Sequence, residues 1–122
     1  MKMDILLWVV IGAAALWIGY RLTSPQKGVQ SISTEELKSQ LGSKNKQFVD
    51  VRTPGEFKGN HVKGFKNIPL NDLPKRMGEL SKDKEVVVMC QSGMRSSKAS
   101  QILKKNGFEK VLNVRGGMSS YR

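Results

Sequence analysis

The segment Cys90-Gln91-Ser92-Gly93-Met94-Arg95-Ser96-Ser97 puts a nucleophile, a glycine and an arginine into one short loop. It follows Val86-Val87-Val88-Met89, an apolar and β-branched run that reads as a strand buried on both faces. A serine at 96 or 97 is expected to cap a helix with Ala99, Ile102 and Leu103 on one face, closed by Gly107. Strand, loop and helix N-terminus in that order offer the cysteine successive backbone N–H groups and the positive end of a helix dipole. Such a setting lowers the thiol pKa and makes a thiolate nucleophile at neutral pH. Gly93 lets the loop curl, and Arg95 adds a charge suited to an oxyanion. A lone cysteine after a buried strand can also be a small core residue. The Ser-Gly-x-Arg that follows at this spacing favours chemistry instead.

The elements that must hold this loop alternate. Ser33-Thr34-Glu35-Glu36 is a capping box ahead of Leu37 and Leu41, with Gly42 as a stop. Residues 47–51 (QFVDV) read as a strand, and Thr53-Pro54-Gly55 as a turn. Asn71 or Asp72 is expected to cap a helix carrying Leu73, Met77 and Leu80, and Val111-Leu112-Asn113-Val114 is a last strand. Strands separated by helices predict an α/β domain with a mainly parallel central sheet flanked by helices. Ligands bind beyond the carboxyl ends of strands in such sheets, where Cys90 falls. The chain has 122 residues with one cysteine and one histidine. That excludes an internal disulfide and nearly excludes a structural zinc site built on Cys and His, and no metal or cofactor is expected.

The loop resembles the active-site loop of the rhodanese (sulfurtransferase) family, and the likeness continues outside it. Phe48-Val49-Asp50-Val51-Arg52 with Pro54, Glu56 and Phe57 resembles that family's D-V-R-x-P-x-E-F/Y signature. Residues 61–69 (HVKGFKNIP) resemble its H-I-x-G-A-x-N-I-P segment, and residues 113–118 (NVRGGM) its C-terminal strand and glycine turn. The likeness runs from about Ile32 to the end, which gives a rhodanese-like domain over 31–122, a linker over 23–30 and a separate segment over 1–22. Phe65 stands where the family usually has a small residue, implying local repacking. The end at Tyr121-Arg122 implies an abbreviated final helix.

This resemblance implies a reaction. Cys90 attacks the sulfane sulfur of a donor such as thiosulfate, sulfite departs, and a Cys90 persulfide passes its sulfur to cyanide or a thiol. The loop from Gln91 through Ser92, Gly93 and Met94 to Arg95 would hold the anion with its N–H groups, and the hydroxyls of Ser92 and Ser96 would add donors. No second cysteine can resolve the persulfide, so the acceptor is external. Two other classes are weighed. Phosphatase or arsenate reductase loops set one more residue between Cys and Arg than the four found here, and this shorter ring of N–H groups fits a phosphoryl group poorly. A membrane-tethered sulfur carrier or adaptor without independent turnover stays open. Asp50 and Arg52 are read as a structural pair under the loop, His61 as structural and not a general base, Glu56 as a cap or turn residue, and Gly116-Gly117 as a tight turn.

The N-terminus lies outside the resemblance. Residues 5–20 (ILLWVVIGAAALWIGY) carry no charge, and Trp8, Trp17 and Tyr20 suit an interface. A cleaved signal peptide is disfavoured because Ala13-Ala14-Ala15 is followed by Leu16-Trp17-Ile18. One transmembrane helix is expected, a single-pass anchor in the cell membrane. Arg21 and Lys27, with no acid until Glu35, place the catalytic domain in the cytoplasm. The net charge of +11 is scattered, without interleaved aromatics. The expected partners are therefore a small-molecule sulfur donor, an external thiol and the membrane, and not nucleic acid.

Overall fold

The computed structural model describes residues 2–23 and 29–121. Five parallel strands, β1 (Val29–Ile32), β2 (Lys46–Asp50), β3 (Lys66–Asn67), β4 (Glu85–Met89) and β5 (Val111–Val114), form one sheet in the order β1-β5-β4-β2-β3. The order follows from the apolar runs. Val86, Val87, Val88 and Met89 are each 0% exposed, so β4 takes the centre, where both faces are covered. The short edge strands β1 and β3 bury less. The helices are α2 (Thr34–Gln40), α3 (Pro54–Gly59), α4 (Leu73–Arg76), α5 (Met94–Lys105) and α6 (Gly117–Ser120).

Side chains alternate across a strand, so β4 feeds two cores. Val86, Val88 and Cys90 pack with Ala99 and Leu103 of α5 and with Leu73 of α4. Val87 and Met89 pack on the opposite face with Leu37 of α2, Phe48 and Phe65. Phe65 is buried in this second core, its ring 5.4 Å from that of Phe48. Each fully buried Val or Leu here contributes about 1.5–3 kcal/mol. The sheet is thereby a rigid platform with Cys90 at the end of its most buried strand.

Several local expectations change. β1 begins at Val29, so the last two residues assigned to the linker belong to the sheet. Only Ile32 of this strand is buried, which hides its period. Residues 24–28 of the expected linker lie outside the described residues. Thr53-Pro54-Gly55 is no turn but the start of α3: Thr53 and Glu56 close a capping box and Pro54 occupies the first turn. The helix expected after Asn71 is broken into a 3-10 turn (Leu70–Asp72), α4 and a second 3-10 turn (Met77–Glu79), and Asp72 makes no side-chain cap. Helix α5 starts at Met94, ahead of both serines expected to cap it. Gly93, at φ +110°, supplies the boundary.

The N-terminal segment forms a 22-residue helix, α1 (Lys2–Thr23). The side chains of residues 4–18 are exposed, with Trp8 at 71% and Leu16 at 77%. The expected transmembrane span is not shown by them: among the described residues no helix is long and apolar enough to cross a membrane.

Candidate active site

The loops after β2 and β4 diverge to opposite sides, β2 leading to β3 and β4 leading to β5, which opens a crevice at their carboxyl ends. Cys90 sits in that crevice at 1% exposure. The backbone N–H of Gly93 donates to its Sγ at 2.9 Å, and the Ser96 hydroxyl lies 3.3 Å from it. Burial pushes the Cys90 thiol up, but the Ser96 hydroxyl and the backbone N–H groups of Ser96, Gly93 and Ser92 together outweigh it, so the pKa lies below the ordinary thiol value. Hydrogen bonds to the thiolate thus overcome desolvation. The sequence-derived candidates Gly93 and Ser96 converge on the sulfur, and Ser92 acts on it through its backbone N–H and not through the expected hydroxyl.

Ser96 is itself held. Its Oγ lies 2.6 Å from Asn113 Oδ1 of β5 and 3.1 Å from the Gly93 carbonyl. Asn113 escaped the sequence reading because its role depends on β5 pairing beside β4, which no local spacing reveals.

Helix α6 clamps the loop from behind. The Met118 N–H donates to the Cys90 carbonyl at 2.9 Å, and the Ser119 N–H and hydroxyl donate to the Gln91 carbonyl at 3.0 and 2.8 Å. With these carbonyls fixed outward, the following N–H groups turn toward Sγ. Gly116 and Gly117 have φ of +77° and +52°. A Cβ on Gly117 would stand 2.1 Å from the Cys90 carbonyl oxygen, so this close approach requires glycine. The pair does form a turn near the site, and the turn sets the catalytic loop.

The remaining candidates are placed differently. Arg95 was expected to face an oxyanion. Its guanidinium instead grips Glu56 through Nη1–Oε1 and Nη2–Oε2 contacts of 2.6 and 2.9 Å. Those bonds, with the Thr53 N–H, hold the Glu56 carboxyl down at about 2. Glu56 is therefore both the cap of α3 and the partner that compensates Arg95. Met94 points outward at 81% exposure, without a contact to the sulfur. The Gln91 carboxamide accepts from Arg52 Nη1 at 3.3 Å and donates to Ser119 Oγ at 3.3 Å.

Beneath the loop, Arg52 makes a forked, buried pair with Asp50, which is 0% exposed. Arg52 also donates to the Asn60 carbonyl at 2.6 Å, in keeping with a structural role. His61 stacks on Phe57 at 3.9 Å between centroids, and its Nδ1 lies 2.8 Å from the Phe57 carbonyl. It is tied into the chain away from Cys90. The assembly can stabilise a thiolate, and it can hold one extra negative sulfur over a ring of N–H donors.

Known proteins resemble this chain in sequence and fold. Residues 33–122 match the rhodanese-like domain family. A protein of Bacillus subtilis called "Uncharacterized protein YqhL" is 36% identical over 116 residues, covering 93% of this chain and 90% of that one. A "Sulfurtransferase" of Allochromatium vinosum is 36% identical over 94 residues, covering 76% of this chain and 88% of its own. The crystal structure of a rhodanese-like domain protein from Staphylococcus aureus superposes with a TM-score of 0.70 at 36% identity, covering 76% of this chain and 91% of that one. With an α/β parallel sheet and a thiolate cradle in the matching region, the chain belongs to the rhodanese-like domain family.

Proposed function

We propose that this protein is a sulfurtransferase that moves a sulfane sulfur through a persulfide on Cys90. The observation that carries this reading is the Sγ cradle, with Gly93 N–H at 2.9 Å and the Ser96 hydroxyl at 3.3 Å. The Cys90 thiolate attacks the outer sulfur of thiosulfate or another persulfide donor. The new Sγ–S bond forms as the donor's S–S bond breaks, and its electron pair leaves with sulfite or the donor thiolate. The outer sulfur keeps the negative charge within reach of the Ser92, Gly93 and Ser96 N–H groups. A thiol or cyanide then takes the sulfur, and Sγ returns to thiolate. Two displacements replace one direct transfer.

Steady-state transfer from thiosulfate to cyanide or to a small thiol by the full chain separates an enzyme from a carrier. Multiple turnovers support the enzyme. A single loaded sulfur that never turns over with any small acceptor leaves the tethered-carrier reading.

The membrane reading also belongs to this proposal. Exposed Leu, Ile, Val and Trp side chains along α1 need cover, and a lipid bilayer supplies it without a protein partner. Because all strands are parallel, the chain enters the sheet at Val29 on the edge opposite Cys90. Lys44, Lys82, Lys84 and Lys110 precede β2, β4 and β5 on that same edge. Asp83, Glu85 and Glu109 share that end, so its charge is mixed, while the catalytic loop lies at the opposite ends of the strands. Resistance of the full chain to alkaline carbonate extraction from membranes supports the anchor, and recovery of the intact chain in the soluble fraction contradicts it.

A further inference from the structure

Beside the catalytic loop, between the start of α5 and the end of β5, lies an open cavity of about 460 Å³. Ser92 and Gly93, whose N–H groups serve the Sγ cradle, also line it, so the cavity adjoins the sulfur site. Its walls bring together Ser92, Met94 and Ser97 on one side with Asn113, Arg115 and Gly116 on the other. The chemistry of these walls is one-sided. Asn113 turns its Oδ1 to the Ser96 hydroxyl, which leaves the carboxamide NH₂ as its free donor. The Arg115 guanidinium is 62% exposed, and Glu36 approaches it only at 4.0 Å, so its charge is poorly compensated, in contrast to that of Arg95. No carboxylate lines the cavity. Met94, the one large hydrophobic residue strongly exposed outside α1 among the described residues, adds a short apolar wall.

We infer that this cavity is a subsite for the body of a small carboxylate-bearing thiol, with Arg115 and the Asn113 NH₂ taking the carboxylate while its sulfur reaches Cys90. The inference rests on the sulfur-transfer reading and names the class of acceptor. In the step it serves, the acceptor thiolate attacks the outer sulfur of the Cys90 persulfide. A new S–S bond forms, the Sγ–S bond breaks, and its electron pair returns to Sγ as thiolate. The outer sulfur carries its negative charge into the product persulfide, so charge balances with no proton moved. Arg115 acts by positioning the acceptor.

The test uses the full chain in detergent micelles, with Cys90 preloaded from a persulfide donor and the load confirmed by intact mass. Discharge rates are compared for 3-mercaptopropionate and its neutral amide, which share shape and differ in charge. Differences in intrinsic thiol reactivity cancel when the acid-to-amide rate ratio of Arg115→Gln is divided into that of the wild type. The expected quotient is about fivefold, the value of one well-placed but exposed ion pair, and it shrinks toward unity in high salt. Arg115→Lys should recover part of it, since the charge remains and the fork is lost. A wild-type chain that discharges without regard to charge overturns the subsite alone, as does a preference that survives in Arg115→Gln. Failure of Cys90 to load from any donor overturns the sulfur-transfer reading and the subsite with it.

Discussion

Ser96→Ala removes one hydroxyl from the Cys90 sulfur and leaves the backbone donors of the loop in place. A hydrogen bond to a charged group is worth about 1.5–3 kcal/mol, and one pKa unit corresponds to ~1.36 kcal/mol. The surviving N–H groups from Ser92, Gly93 and Ser96 take up part of the loss, so the Cys90 pKa should rise by about one unit. The sign is fixed: a bond to the thiolate favours the charged form, and its removal raises the pKa. A more basic thiolate is also a better nucleophile, with a Brønsted slope of about 0.4–0.5, so the plateau loading rate should increase about threefold. Well below the pKa, a tenfold smaller thiolate fraction outweighs this gain, and loading should slow about three- to fourfold. The assay is the pH dependence of persulfide loading, paired with ultraviolet thiolate absorbance, which reports Cys90 unambiguously because the chain has one cysteine. Asn113 Oδ1, the alternative acceptor for the Ser96 hydroxyl when Cys90 is neutral, also loses its 2.6 Å contact with that hydroxyl, so thermal unfolding must confirm that the variant is folded at the assay temperature. An unmoved acid limb in a folded variant would refute the claim that Ser96 holds the thiolate.

Other perturbations probe the frame around the loop. Gly117→Ala drives a Cβ against the Cys90 carbonyl at 2.1 Å and holds a non-glycine residue at φ +52°. Loading should fall at least tenfold, with ~1–3 kcal/mol lost in denaturant titration, and a variant that loads normally would show that α6 does not set the loop. Glu56→Gln keeps the capping box with Thr53 but removes the charge facing Arg95. The Glu56 pKa is depressed to about 2, so the stability it contributes is present above about 4.5 and fades as the pH falls toward 2. The difference in melting temperature between wild type and variant should therefore close over that acid range, and a difference that persists unchanged at pH 2 contradicts the pairing. Asp50→Ala leaves the Arg52 guanidinium buried without its carboxylate, a loss of about 3–5 kcal/mol readable by urea titration.

The sequence makes the centre of this fold easy to read and its edges hard. β4 is a continuous β-branched run, and the loop after it carries Cys90, Gly93 and Arg95 at a distinctive spacing. Local pattern and tertiary role coincide there. β1 and β3 bury one residue or none, so their alternation is invisible without the neighbours that pair with them. α3 was available as a capping box, Thr53-Pro54-Gly55-Glu56, but Pro-Gly read in isolation argues for a turn. The site's supporting partners are distant in the chain. Arg95 meets Glu56 across 39 positions, Ser96 meets Asn113 across 17, and Gln91 meets Ser119 across 28. No local spacing encodes such pairs, and assigning Arg95 to an oxyanion followed from seeing its charge without its partner.

The central claim is that Cys90 accepts a sulfane sulfur. The most direct measurement is the intact mass of the full chain after incubation with thiosulfate and, separately, with a low-molecular-weight persulfide, followed by peptide mapping. The account predicts one added sulfur on the peptide containing Cys90. Thiol reductant should remove it, and Cys90→Ser, a nearly isosteric change, should never acquire it. A folded wild-type chain that acquires no sulfur from any donor, or a Cys90→Ser chain that still does, contradicts the account.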